Sequence, residues 1–304
     1  MKSISPIVKI AVLVTVVLSC KKSLQNSELE LRDQLASALT SPVPVIADWE
    51  TGDASQWRGI ITADPAQFYV GISSVVPVRQ GTYAARFIVR PNDTIAGISG
   101  ERCEADMSLE GKNNYTLETV GDEYYYGWST YFPTTWTNPK NFGVFMQFHH
   151  NNYINPPISF NAHNDTIGVN IWTGHVTVNT SGKLNFMYKQ YHILRNTLSK
   201  GLWNDFIVHV KFRPDWQGIV EVWHRLQGQA EFSKVLSVDS IPTMQWFDND
   251  SLIIGSPVMH GSWYTSKIWL RNGFYRDKGG SNVNVIIHDN FARADNYSSI
   301  RARF

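Results

Sequence analysis

The chain is short of cysteine, of charge and of long apolar runs. Cys20 and Cys103 are its only cysteines, too few for a disulfide-stapled scaffold. Charged residues fill 17% of the 304 positions, 27 Lys and Arg against 26 Asp and Glu, for a formal net charge of +1. A balance so near zero lacks the cationic surplus that nucleic-acid binding needs, so no nucleic-acid partner is expected. It also gives no general trap for polyanions. The apolar run IAVLVTVVL at 10–18 is too short to span a bilayer. Helical periodicity is sustained nowhere beyond a few turns, and no internal repeat is found.

What is present begins with a leader. MKSISPIVKIAVLVTVVLSC has a basic start at Lys2 and Lys9 followed by the apolar run, the pattern of a signal peptide over residues 1–19. VLSC resembles the lipobox of bacterial lipoproteins, with Leu18 a less usual residue at its place, and implies lipidation of Cys20. The expected product is exported and lipid-anchored to a bacterial membrane, at the cell surface or in the periplasm, touching the membrane only through the lipid. Removing 1–19 takes away Lys2 and Lys9 and no acid, so 25 basic residues face 26 acidic ones and the net charge becomes −1. Residues 20–46 are polar, end in Pro42 and Pro44, and read as a tether. A single domain is expected over 47–304.

Within that domain the pattern is alternation. DFIVHVKFR sets Phe206, Val208, Val210 and Phe212 on one side, with Asp205, His209, Lys211 and Arg213 on the other. TYAARFIVR likewise groups Tyr83, Ala85, Phe87 and Val89. Turn signals such as RPND, NTSGK, RPDWQG and DKGGSN separate the segments. Short strands at regular spacing predict an all-β jelly-roll sandwich with a concave groove suited to an extended polymer. Aromatics make up 13% of the chain, eleven of them Trp. They either fill a large core or offer flat binding surface.

Three segments carry polar residues that such a groove could collect. In GVFMQFHH, strict alternation puts Val144, Met146, Phe148 and His150 on an apolar face and Phe145, Gln147 and His149 on the other. His149 is therefore the histidine expected in the cleft, and His150 ends the strand. In GERCEADM, the small thiol of Cys103 belongs with apolar neighbours, so Arg102, Glu104 and Asp106 face away from the core; a plain ion-pair ladder would read the same. In KIWLRNGFYRDKGG, Trp269, Arg271, Gly273 and Tyr275 share a parity, with Gly273 leaving room for close approach, and Arg276 and Lys278 follow at the turn. Gln147, Arg271, Arg276, Lys278 and Glu104 are candidate substrate-binding residues.

A His, an Arg and a Tyr converging on one groove suit β-elimination on a uronic-acid polymer. The proton on carbon 5 becomes acidic once the adjacent carboxylate is neutralised, a task for Arg. A neutral His or a deprotonated Tyr can take that proton, and a Tyr hydroxyl can protonate the departing glycosidic oxygen. The chemistry requires no cofactor. Glu50 in DWETGD and Asp289 in HDN could meet where the first and last strands pair and hold a structural calcium. A monomer is expected.

These pieces resemble the heparin-lyase-I-like polysaccharide lyases, a family that includes glucuronan lyases. DWETGD, GERCEAD, GDEYYYGWSTYFP, VFMQFHHN, GLWNDFIVHVKFRPDWQGIVEVW and GFYR before IIHDNFA occur in the family's order, over roughly residues 47–293. The resemblance implies a β-jelly roll. It places the motif histidine on His149, the arginine of the R-x-E segment on Arg102 and the C-terminal tyrosine on Tyr275, as base, carboxylate neutraliser and acid. His and Tyr exchange roles with substrate stereochemistry. Heparin-cleaving members carry a lysine where Arg271 stands, and their N-terminal glutamine has only Gln56 or Gln67 as possible counterparts here. A plain polyuronate such as glucuronan or alginate is thus a better substrate expectation than a sulfated chain. A laminarinase-type hydrolase on the same sandwich would need the carboxylate run E-x-D-x-x-E, which is absent. A non-catalytic glycan-binding surface lipoprotein remains the alternative.

Overall fold

Where the alternation is strictest, burial follows it. Phe206, Val208, Val210 and Phe212 all lie in the main core, as do Ala85, Phe87 and Val89. The computed structural model describes residues 44–108, 116–151, 154–254 and 257–304. The leader 1–19, Cys20 and nearly all of the segment read as a tether lie outside the described residues.

The described chain is strand almost throughout. β1 (Val45–Ala47), β2 (Gly59–Thr62), β3 (Phe68–Ile72), β4 (Tyr83–Val89), β5 (Glu101–Asp106) and β6 (Glu123–Tyr131) come first. β7 (Gly143–His149), β8 (Ile158–His163), β9 (Thr166–Val178), β10 (Leu184–Leu194), β11 (Trp203–Lys211) and β12 (Gly218–Leu226) follow. β13 (Ser233–Ile241), β14 (Gln245–Phe247), β15 (Val258–His260), β16 (Trp263–Thr265), β17 (Trp269–Arg276) and β18 (Asn284–Ala294) lead to one short helix, α1 (Tyr297–Arg301). Among the described residues no helix is long and apolar enough to cross a membrane.

The strands form a two-sheet jelly-roll sandwich. One sheet runs β13-β12-β11-β6-β18-β4-β3, with β1 also on β18. The other runs β15-β16-β14-β9-β8-β7-β17-β5-β2, with β10 also on β9. Between them aromatic side chains interlock. Trp128 of β6 meets Phe160 of β8 at 5.1 Å and Phe206 of β11 at 5.3 Å, while Tyr126 meets Phe148 of β7 edge-on at 4.9 Å. Such offset and edge contacts are the geometry the ring quadrupole favours.

Two expectations need correction. The sheet begins at Val45, two residues inside the segment read as tether, because Val45 and Ala47 are buried and pair with Arg293 and Phe291 of β18. Strict alternation also fails in β7. A bulge against β8 between Val144 and Met146 lets both Phe145 and Met146 enter the core, where Phe145 packs on Phe132 and Phe206. An extra residue in one strand reverses the parity of everything on one side of it. The break falls before Met146, so Phe148 still points inward, and Gln147 and His149 still point outward.

Candidate active site

The three polar segments lie on adjacent strands. β17 is paired with β5 on one side and β7 on the other, so its outward residues are flanked by theirs. Tyr275 stands opposite Arg102, and Arg271 stands between Asp106 and Gln147. Trp269 stands opposite His149. Neighbouring strands are only about 4.8 Å apart, so these side chains form one contiguous polar strip.

Two glycines make the packing possible. Gly273 has φ +133 and faces Glu104 across the ladder; a Cβ there would strike the Cys103 carbonyl oxygen and stand 2.7 Å from the Glu104 Cα. The room that Gly273 leaves is thus taken by the β5 backbone. Gly100, at φ +71, lies under Tyr275, and a Cβ would enter the phenol ring. Both positions need the left-handed freedom that glycine has without cost.

Arg102 is the hub of the strip. It is buried, its guanidinium lies 4.0 Å from the centre of the Tyr275 ring, and its Nη1 donates to Glu104 at 3.0 Å. Its Nη2 donates to the Ser99 carbonyl oxygen. Glu104 also accepts from Gln147 Nε2, which ties β5 to β7 across β17. The Tyr275 hydroxyl is 3.3 Å from Ser99 Oγ, and Phe142 packs edge-on against the ring at 5.1 Å. Nearer His149, Asp106 accepts from Arg271 at 3.3 Å and from Arg58 at 3.5 Å. Three arginines (58, 102, 271) against two carboxylates (104, 106) leave the strip with one net positive charge. A site built for a carboxylated sugar needs such a surplus, and only a small one.

His149 closes the β7 end. Its ring lies 5.3 Å from Trp269 and 6.0 Å from His150. Loss of solvent holds the imidazole well below its ordinary pKa, and the charges of Arg271, His150 and Arg102 push the same way. It is therefore neutral at pH 7, and its Nδ1 has no hydrogen-bond partner. His150 is buried, hydrogen-bonded to Gln245 and held down to about 4 by burial. It is a structural residue, as its parity implied.

Other expected site residues lie elsewhere. Arg276 is not in the strip: it is fully buried, its Nε donates to Glu101 at 2.8 Å, and its Nη1 donates to Asn282 O and Asn284 Oδ1, both at 2.6 Å. Alternation alone could not show that Glu101, on the inward parity of β5, supplies the partner. Lys278 is exposed in the β17–β18 connection. Gln56 bonds within the Asp48–Trp49 turn, and Gln67 is buried against Thr62, Asp64 and Asp93. Neither joins the strip.

Glu50 and Asp289 do approach one segment. Glu50 accepts from the amides of Thr82 and Tyr83, and Asp289 accepts from those of Arg79, Gln80 and Asn290. Burial pushes the Asp289 carboxyl up to about 8, with Glu50 adding to the effect. Calcium takes about six to eight oxygen ligands, backbone carbonyls and waters among them, so these two carboxylates would supply only part of such a set. Among the described residues no group of three or more His, Cys, Asp or Glu is arranged to hold a metal.

Sequence reading missed Arg58, Ser99 and Phe142, which reach the strip only through tertiary register. It also missed the extent of the outward aromatics. Gln147, Ser159 of β8 and Asn170 of β9 stand in one row across the sheet. Beside that row Trp172 of β9 stacks on Tyr188 of β10 at 3.9 Å, with Tyr188 exposed. The outward face thus carries a flat aromatic platform two strands from Gln147.

Comparison with known proteins gives the family. The polysaccharide lyase family model matches residues 49–292, and the chain belongs to that family. The structure is similar to that of an endo-β-1,4-glucuronan lyase from the fungus Trichoderma reesei, with a TM-score of 0.59 at 17% identity, covering 86% of this chain and 98% of the other. It is also similar to an alginate lyase from Aplysia kurodai (TM-score 0.47, 8% identity, 84% and 100% covered). An alginate lyase from a Chlorella virus gives a TM-score of 0.45 at 12% identity, with 83% and 100% covered. No curated protein sequence matches the chain.

Proposed function

We propose that this polysaccharide lyase cleaves a uronic-acid polymer by β-elimination at the Arg102–His149–Tyr275 strip, with a plain polyuronate such as glucuronan or alginate as substrate. The observation that carries the reading is the β5–β17–β7 register, which sets Arg102 against the Tyr275 ring and Arg271 beside Gln147 in a strip with one surplus positive charge, with the His149 imidazole at its end. A uronate carboxylate laid over Arg102 and Arg271 loses its repulsion toward a developing carbanion. His149 then takes the carbon 5 proton, and that bond's electrons form the C4=C5 double bond. The C4–O4 bond breaks, and the Tyr275 hydroxyl gives its proton to O4. The imidazolium returns a proton to the phenolate through solvent. Gln147, held by Glu104, faces the same sugar, and the Trp172–Tyr188 platform supports a neighbouring ring of the polymer. No step uses a metal.

A second reading is favoured by one distance. His149 and Tyr275 start six positions apart along β17, counting from Trp269, with one residue absorbed by a bulge; that is about 17 Å of strand, which side-chain length only partly closes. On this reading Tyr275 carries both proton transfers and His149 helps hold the carboxylate.

The test is to incubate the protein with a panel of polyuronates and follow the ultraviolet absorbance of the unsaturated product. Tyr275→Phe should lower kcat by about 10²–10⁴-fold. His149→Ala should do the same if His149 is the base, and should chiefly raise KM if Tyr275 does both jobs. Full activity in both variants would refute the site. Polyuronate binding without unsaturated ends would favour a glycan-binding lipoprotein.

The leader and the Cys20 motif support export with a lipid anchor, and mass spectrometry of the mature N-terminus tests that. Near-neutral charge and the covered apolar core support a monomer, which light scattering tests.

A further inference from the structure

We propose that Trp216, Trp246 and Trp263 form a second carbohydrate site, outside the catalytic strip, that grips a pyranose unit farther along the same polymer chain. The three indoles, with Pro214 and Asp215, line a cavity of about 360 Å³. That is within the usual size of small-ligand pockets. Trp216, in the β11–β12 connection, is 65% exposed. An indole left this open loses apolar burial unless something covers it.

The other two walls are braced. Trp246 stacks on His175 at 3.8 Å, and His175 is held by Asp248 at 3.0 Å. Trp263 stacks on His260 at 4.4 Å, and His260 reaches Thr265 at 2.9 Å. The Trp246 and Trp263 rings are inclined at 66° to each other, 6.1 Å apart. Two rings fixed from behind and one at a loop tip offer flat faces at little cost in side-chain ordering.

Charge points to the ligand. Asp215 is bound in a bidentate pair by Arg213, and among the described residues that line the cavity none is a cation to meet a carboxylate. Its walls suit the C–H face of a sugar ring, with any uronate carboxyl turned to solvent. Place points to the polymer. Gln245, next to Trp246, donates to Asn155 O and Trp172 O and bonds His150, the neighbour of His149. These bonds tie β14, which carries Trp246, to Trp172 of the aromatic platform and to the β7 end that carries His149, and the proposal sets the cavity farther along the same polymer. The inference rests on the lyase reading for the identity of that polymer.

The test compares the full-length protein with Trp216→Ala and with Trp216→Ala/Trp263→Ala, none of which touches the catalytic strip. The probes are long β-1,4-polyglucuronate, polymannuronate and their tetrasaccharides. Binding is followed by calorimetry in a Tyr275→Phe background, and turnover in the native background. Losing stacked aromatic area should weaken binding of whichever long polymer is cleaved by about five- to tenfold, with kcat/KM for the tetrasaccharide unchanged. Unchanged polymer affinity in the double variant would overturn the proposal. Equal loss for polymer and tetrasaccharide would overturn it too, since the cavity would then belong to the catalytic strip. If no unsaturated product forms at all, the lyase reading fails separately, and the binding measurements still decide whether the indoles hold sugar.

Discussion

Replacing Arg276 by Met separates a buried brace from a substrate ligand. The guanidinium and the Glu101 carboxylate are each about 1% exposed and meet at 2.8 Å. Met keeps most of the apolar stem and removes the charge, leaving the carboxylate enclosed with only the Asn92 and Gly279 amides as donors. Breaking one side of a buried pair costs about 3–5 kcal/mol. For a domain of this size each kcal/mol moves Tm by about 2–4 °C, so the shift should be on the order of 10 °C. Thermal unfolding at pH 7, followed by circular dichroism, reads it directly. Below the unfolding temperature KM for the cleaved polyuronate should stay within about twofold of the parent, since the side chain does not reach the strip. Removing both charges with Glu101→Gln/Arg276→Met should recover part of the loss. An unchanged Tm with a KM raised tenfold or more would refute the assignment and return Arg276 to the substrate.

Further outcomes follow from the same geometry. Gly100→Ala should displace the Tyr275 ring and lower kcat by about 10²-fold, since a misplacement of roughly 1 Å is enough; steady-state kinetics on the native polymer checks it. Stability should fall as pH drops from 6.5 toward 4. Burial holds His150, His224 and His288 each at about 4, so over that window the unfolded chain binds protons that the fold refuses. Each contributes about 1.4 kcal/mol per pH unit, readable as Tm against pH. Asp289 works in the opposite sense: with its carboxyl at about 8 the fold holds a proton that the unfolded chain has released, and that contribution is lost as pH rises toward 8. Asp289→Asn should flatten the alkaline side of the Tm curve. Treatment with a chelator should leave the ultraviolet progress curve unchanged, because no proposed step passes through a metal.

Much of the site was legible because strands translate spacing into direction. Arg102, Glu104, Gln147, His149, Arg271 and Tyr275 could be sided from parity alone, and β5, β17 and β7 then place them together. Parity failed where an extra residue entered, at Phe145. Counting also could not say which inward polar residue would meet which. Glu101 and Arg276 had no visible reason to pair until the β5–β17 register set them opposite each other. Arg58 and Ser99 come from loops and strand ends, whose approach depends on the whole fold. The start of the domain was set two residues late because Pro42 and Pro44 read as linker, while the partner that makes Val45 a strand lies about 250 positions away.

The placement of β17 between two hydrogen-bonded neighbours has a consequence for motion. Many enzymes build their reacting groups on loops, from the least protected part of the molecule. Here the backbone amides of Gln147 and Tyr275 belong to ladders deep inside a sheet. In hydrogen exchange they should be among the last protons to leave, opening only when the whole sandwich does. Adaptation to a new polymer would then come through the rim, with the reacting floor held stiff.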